Sequence, residues 1–292
     1  MKAETRRQGM GWLCNAALLM AGVATTTATE TGNWKDNAIS PVANPLFFES
    51  PLIQSEIRPL FIYHKIADDF IGGFARVYAV QARWAVNDRL AIIATKDGYI
   101  DLQTRVPSLN REGWADLAAG VKYALIDDAE QFILTPGVKI ELPTGNEGVL
   151  QGNGKGELDV FVSAMKGWDK VHATASVGAR LPLDFSKETS SLHYSVQLDY
   201  ATCKYFIPFA VLNGFTWLSE TKNGPAYGGI EGYDIMNFGA RDVSGHTQVT
   251  AGVGVRSKVC QHVDLGFAWE KGLTNPKGLF DERFTFDAVI HF

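Results

Sequence analysis

The chain has 292 residues, 46% of them hydrophobic, 20% charged, with 29 Gly and three Cys, and a formal net charge of −5. That composition excludes a disordered chain or a disulfide scaffold, and a mean hydropathy of −0.04 excludes a helical membrane bundle. The acidic balance, with no basic stripe, argues against a nucleic-acid partner.

The first 28 residues read as an export signal. Lys2, Arg6 and Arg7 precede a short apolar run, Gly11 to Val23, and small residues follow, with cleavage expected after Ala24 or Ala28. The run is too short to span a bilayer, and Cys14 lies inside it rather than after it, which disfavours a lipoprotein. Loss of Lys2, Arg6, Arg7 and Glu4, a net +2, takes the chain from −5 to about −7. Cys203 and Cys260 then remain, each ending a predicted strand. They fall about two strands apart, near 10 Å, so the expectation is two free, buried thiols rather than a disulfide.

Residues 29–55 carry Pro41, Pro45 and Pro51 with little periodicity. They read equally as a periplasmic tail or as a plug folded into a lumen. From Glu56 the pattern changes to alternation. Twelve strands are predicted, at 56–67, 72–87, 89–102, 113–127, 130–143, 156–168, 170–183, 190–203, 205–219, 246–260, 262–275 and 281–292. All are longer than the 5–6 residues of ordinary soluble strands, which suits a tilted membrane crossing. Leu192, Tyr194, Val196 and Leu198 oppose His193, Ser195, Gln197 and Asp199, and Val263, Leu265, Phe267 and Trp269 oppose Asp264, Gly266 and Glu270. Parity fails at Ala91–Ala94, and Pro136 and Pro208 inside strands predict bulges. Short turns at 87–88, 127–129, 169, 204 and 261 alternate with longer loops, including the glycine-rich 144–155 and the long 221–245. Long strands, an even count and turn asymmetry together predict an all-β fold, an antiparallel transmembrane outer-membrane β-barrel with short periplasmic turns and longer external loops. The expected division is 1–28 signal peptide, 29–55 leader or plug, and 56–292 barrel.

The last strand points the same way. Phe284, Phe286, Ala288, Ile290 and Phe292 share one parity, opposite Arg283, Thr285, Asp287 and His291. An aromatic strand ending on phenylalanine resembles the sorting signal of outer-membrane barrels, so Phe284, Phe286 and Phe292 are candidate assembly residues. The strand should pair with the first, near Glu56 to Ile66, to close the ring. Trp84, Trp114, Trp168, Trp217 and Trp269 lie near strand ends and would suit interfacial belts.

Residues 113–145 add a family resemblance. Gly113, Asp116-Leu117, Gly120-Val121-Lys122-Tyr123 and Leu142-Pro143-Thr144-Gly145 resemble a hairpin of the bacterial outer-membrane proteins grouped as the "MetA-pathway of phenol degradation" family. The resemblance covers 113–220 well and the rest by rhythm. It implies a barrel and uptake of small aromatic or hydrophobic compounds.

Enzyme signatures are weak. The six histidines are scattered without His-Glu-x-x-His spacing, and Gly152–Gly156 lacks the spacing of a phosphate loop. His193 and Ser195 share a face, as in barrel lipid hydrolases, but on the polar parity rather than the lipid-facing one, which favours lumen lining. The polar parity makes Asp116, Lys122, Lys139, Glu141, Glu157, Asp159, His172, Arg180, His193, Asp199, Arg256, Asp264, Glu270, Arg283 and Asp287 candidate lumen residues. Their mixed signs predict pairing across strands. The expected function is passive passage of small molecules, without metal or cofactor. The alternatives are a structural or adhesive barrel with a filled lumen and, less favoured, a hydrolase using His193 and Ser195. Outer-membrane lipids, the barrel assembly machinery and a small solute are the expected partners.

Overall fold

Alternation of apolar and polar side chains leaves a sheet one way to satisfy every backbone group in lipid, which is to close on itself. In the computed structural model, which describes residues 34–128 and 130–292, it does so. The ring has twelve antiparallel strands. They are β1 (Glu56–Lys65), β2 (Phe74–Ala85), β3 in two runs (Leu90–Lys96, Tyr99–Gln103), β4 in three runs (Arg111–Trp114, Leu117–Tyr123, Ile126–Asp128), β5 (Phe132–Leu142) and β6 (Glu157–Trp168). The second half comprises β7 (Val171–Pro182), β8 (Ser191–Tyr200), β9 (Ile207–Trp217), β10 (Thr247–Cys260), β11 (Val263–Gly272) and β12 (Glu282–His291). Each pairs with its sequence neighbour, and β12 returns to β1 from Glu56↔His291 to Lys65↔Glu282. The predicted closure is therefore present. The predicted signal peptide lies outside the described residues.

The predicted parity sets the two faces. Val177, Leu192, Val196, Leu198, Leu265 and Phe286 are exposed on the outer surface, while His193, Ser195, Gln197, Asp199, Asp264 and Glu270 are buried inside. Trp84, Trp114 and Trp168 are exposed near strand ends, as belts require. Trp217 departs from that expectation. It faces inward and is buried with Phe47, Phe215 and Phe280.

The weak points of the pattern have local causes. Ala91 and Ile93 point inward and Ile92 outward, so alternation holds there. It looked lost because Ile93 packs on Phe161 and Ile53, an apolar patch inside the barrel. The register then shifts between Ala94 and Lys96, so that Thr95 and Lys96 are both buried. The strand breaks at Asp97-Gly98, where the Asp97 carboxylate accepts the Val80 N–H at 2.9 Å. Gly98 has φ +110°, and a Cβ there would lie 2.4 Å from the Tyr78 carbonyl oxygen. Neither proline produces the expected bulge, since Pro136↔Val162 and Pro208↔Val255 sit in unshifted ladders. Pro136 faces the gap between two runs of β4, and Pro208 lies one step beyond the end of the β8–β9 ladder at Asp199↔Phe209. A missing N–H is tolerated where pairing on one side has stopped. The cysteines are free, but neither is buried as expected: Cys203 is exposed and Cys260 partly so.

Residues 34–55 run inside the barrel. Trp34 enters at the short-turn end, stacked 6.1 Å from the His172 ring. The chain turns at Asn44 (φ +47°) and returns to Ser55, whose carbonyl accepts the Phe292 N–H at 3.2 Å. From the opposite end the 218–246 connection folds inward, burying Tyr233, Ile235 and Met236.

Candidate functional site

Twelve strands enclose a narrow space, so charged wall residues must find partners or water. Here they meet the inner segment. Glu49 accepts two hydrogen bonds from Arg83 (2.8 and 2.7 Å) and one from Lys122 (2.7 Å), and Arg83 also reaches Glu56 at 3.1 Å. Other wall groups bond the segment's backbone. Arg58 donates to the Pro41 carbonyl at 2.8 Å, Arg256 to Ser40 at 3.0 Å, Gln81 to Pro45 at 2.8 Å, Lys139 to Leu46 at 2.8 Å and Thr135 to Pro51 at 2.7 Å. Five carbonyls of the segment are thus answered by side chains from the wall, and the Ser50 carbonyl accepts from Lys122 at 2.7 Å as well.

Asp287 on β12 pairs with both Arg58 and Arg256, the latter through two hydrogen bonds of 2.8 and 3.1 Å. Near the tip of the segment, Asp159 bridges Lys139 (2.8 Å) and His193 (2.7 Å). The Phe47 ring lies 4.9 Å from the His193 ring and 5.3 Å from Phe215, with the Lys139 ammonium 4.9 Å from its centre. Lys96 meets Glu141 at 2.5 Å, and Arg180 pairs with Glu157, which also accepts from Asn237. Toward the long-loop end Arg283 grips Asp234 at 2.5 and 2.7 Å. It also donates to His64 Nδ1 at 3.1 Å, so the Nε2–H of His64 donates to the Leu279 carbonyl at 2.7 Å. Cavities beside the tip measure about 20 and 30 Å³, room for about one water each. Among the described residues, the inner segment and these side chains fill the space at the tip.

The predicted lumen residues are therefore gathered on the inner face, in several separate knots. His172 bonds Asp199 at 2.8 Å, Glu270 accepts from Asn213 at 2.9 Å, and Asp264 meets His291 at 3.4 Å. Asp116 stands apart. It lies at a break in β4 and accepts the N–H groups of Gly145 (2.8 Å) and Gly152 (2.9 Å), so it fastens the 143–156 loop. His193 turns to Asp159, while Ser195 accepts from Asn44 at 3.2 Å, so each of the two is committed to a different partner. Sequence reasoning missed Phe47, Glu49, Arg58, Arg83, Lys96 and Asp234. The available signals were strand parity for Arg83, which with Gln81 alternates against Val80, Ala82 and Trp84, and Glu49 as a carboxylate in an otherwise apolar stretch.

Glu188, in the loop between β7 and β8, is buried, and burial together with the nearby Glu157 charge raises its pKa to about 8. A raised carboxyl pKa means the folded state holds a proton that the unfolded state releases, so stability falls as pH rises from about 4.5 to 8. Thermal melts of Glu188→Gln should match the parent at pH 4 and lie above it at pH 9. Equal melting at pH 9 would show that the group ionises freely.

No known family model and no curated protein matches this chain. Solved structures do. The COG4313 outer membrane channel from Pseudomonas putida F1 superposes with a TM-score of 0.62 at 12% identity, covering 87% of this chain and all of that one. The NanC porin superposes at 0.52 and 7% identity, covering 82% and 99%. This chain has the fold of outer-membrane channels and porins. At such identities the likeness concerns the fold alone.

Proposed function

We propose that the protein is a bacterial outer-membrane channel for passive passage of small molecules, closed at rest by residues 34–55. The reading rests on how the barrel is filled. A barrel meant to stay full needs no inward charges, because burying them costs several kcal/mol that an apolar filling avoids. Here the wall keeps Arg58, Arg83, Lys122, Lys139 and Arg256, and the segment satisfies them with carbonyls and one carboxylate. These are bonds that water can replace. With the segment withdrawn, the same side chains would line a hydrated path with both signs of charge, and Asp159, His172, His193, Asp199, Glu270 and Arg283 would contribute to its selectivity.

The resemblance of residues 113–145 to the "MetA-pathway of phenol degradation" family supports uptake of small aromatic or hydrophobic compounds. On this reading the short turns face the periplasm, the long loops face outward, and Phe284, Phe286 and Phe292 serve the assembly machinery. Conductance in planar bilayers tests the proposal. A variant lacking residues 34–50 should conduct persistently and swell solute-loaded liposomes, while the mature protein opens rarely. Passage of neither current nor solute by either form would leave a structural barrel. A mature protein that conducts as freely as the shortened one would keep the channel and remove the closing role of the segment.

A further inference from the structure

At the long-loop end lies a cavity of about 360 Å³, within the range of small-molecule sites, about 300–1,000 Å³. It is far larger than the spaces beside the inner segment, and its wall is drawn from five connected regions. Phe70 comes from the β1–β2 loop, Leu102 from β3, Leu109 from the β3–β4 loop, Leu150 from the β5–β6 loop, and Tyr227 and Phe238 from the β9–β10 loop. Such residues are costly on loops that face water, where polar side chains would serve as well. Leu109 is 44% and Tyr227 39% exposed.

Two of the three ring pairs are edge to face and the third is tilted. Phe70 and Tyr227 lie 5.2 Å apart at 72°, Tyr227 and Phe238 5.3 Å apart at 71°, and Phe70 and Phe238 6.1 Å apart at 55°. Three mutually tilted rings line the cavity, a geometry that another ring can join. Charges lie on its exposed rim, at Arg111 and Glu147. A charged ligand would lose hydration on entering the apolar floor and gain no buried counter-charge there.

The site also leads somewhere. Leu102 belongs to an apolar cluster with Leu60, Ile62, Val77 and Ile100, against which Phe70, Leu150 and Phe238 pack. Leu60, Ile62, Val77 and Ile100 in turn line the small cavity that touches Leu46 at the tip of the inner segment. A continuous block of packed apolar side chains thus lies between the outer cavity and the closing segment.

We infer that this cavity is an entry site for an uncharged aromatic molecule of one or two rings, held by the Phe70–Tyr227–Phe238 triad. The inference rests on the passage reading and deepens it by giving the solute a binding site on named residues, yet it concerns the closed state and can fail on its own. The test uses the full mature chain in lipid nanodiscs with 2-naphthol as probe, followed by its own fluorescence and corrected against empty nanodiscs of the same lipid. Saturable binding is expected in the parent. Leu109→Asp places a carboxylate in the wall at an already exposed position, so folding should survive, as heat-modifiable migration would verify. Binding should weaken about tenfold or more. The aliphatic 1-octanol should displace the probe far less well than naphthalene does. Absence of saturable binding, equal binding by Leu109→Asp, or equal displacement by 1-octanol would each overturn the inference. Binding by a protein that never conducts would leave the site standing and remove only the channel reading.

Discussion

Asp287→Ala is expected to destabilise the folded barrel by about 3–5 kcal/mol, the usual cost of leaving a buried charge without its partner. Asp287 is buried together with two guanidiniums, Arg58 and Arg256. Both also hold the inner segment, through Pro41 and Ser40. Without the carboxylate two like charges face each other in a space with little water. Denaturant unfolding of the protein refolded in lipid would measure the loss, with the heat-modifiable gel shift as a second readout. The combined variant Arg58→Met, Arg256→Met, Asp287→Leu should regain much of it, because a fully apolar replacement has no unpaired charge. If Asp287→Ala unfolded within about 0.5 kcal/mol of the parent, the size of a neutral surface change, water would be reaching the knot and the closed interior would be wrong.

That knot also shows what the sequence can and cannot express. The alternation of Arg283, Thr285 and Asp287 against Phe284 and Phe286 assigns a face to each side chain, because strand geometry has a period of two. The same rule, applied twelve times, yields the ring and its closure. It does not say which charge meets which. Asp287 takes its partners from β1 and β10, Arg83 takes Glu49 from the inner segment, and Arg283 takes Asp234 from a long loop. Those distances in sequence carry no periodic mark.

The inner segment was harder still to read. Most of its grip uses the carbonyls of Ser40, Pro41, Pro45, Leu46 and Pro51, and every residue owns a carbonyl. A tail and a plug therefore look alike in sequence. Trp217 was misread for a related reason. Strand ends on the outer face favour tryptophan, but a loop that folds inward makes an apolar interior for it as well, beside Phe280 and Tyr233. The break at Asp97-Gly98 depends on backbone approach to Tyr78 and Ala79, which no side-chain pattern reports.

Deleting Phe292 is expected to remove most of the protein from the outer-membrane fraction in cells while leaving the purified, refolded barrel nearly as stable as before. The two outcomes separate because the residue's structural share is small. Its backbone N–H donates one hydrogen bond to Ser55, at 3.2 Å, and its ring is 48% exposed on the outer face. One hydrogen bond and a partly covered ring amount to about 3 kcal/mol at most, against the full β1–β12 ladder that remains. A fall in assembly much larger than the fall in stability therefore requires that Phe292 be read by another molecule before the ring closes. Phe284 and Phe286, on the same face of β12, supply the rest of that surface, each already touching Phe267 at 6.4 and 4.9 Å. Phe286→Ala should show the same split in milder form, since the Phe292 ring stays in place. Unchanged membrane assembly after loss of Phe292 would rule out the recognition role. An equal loss in cells and in refolded protein would assign the residue to closure of the ring itself.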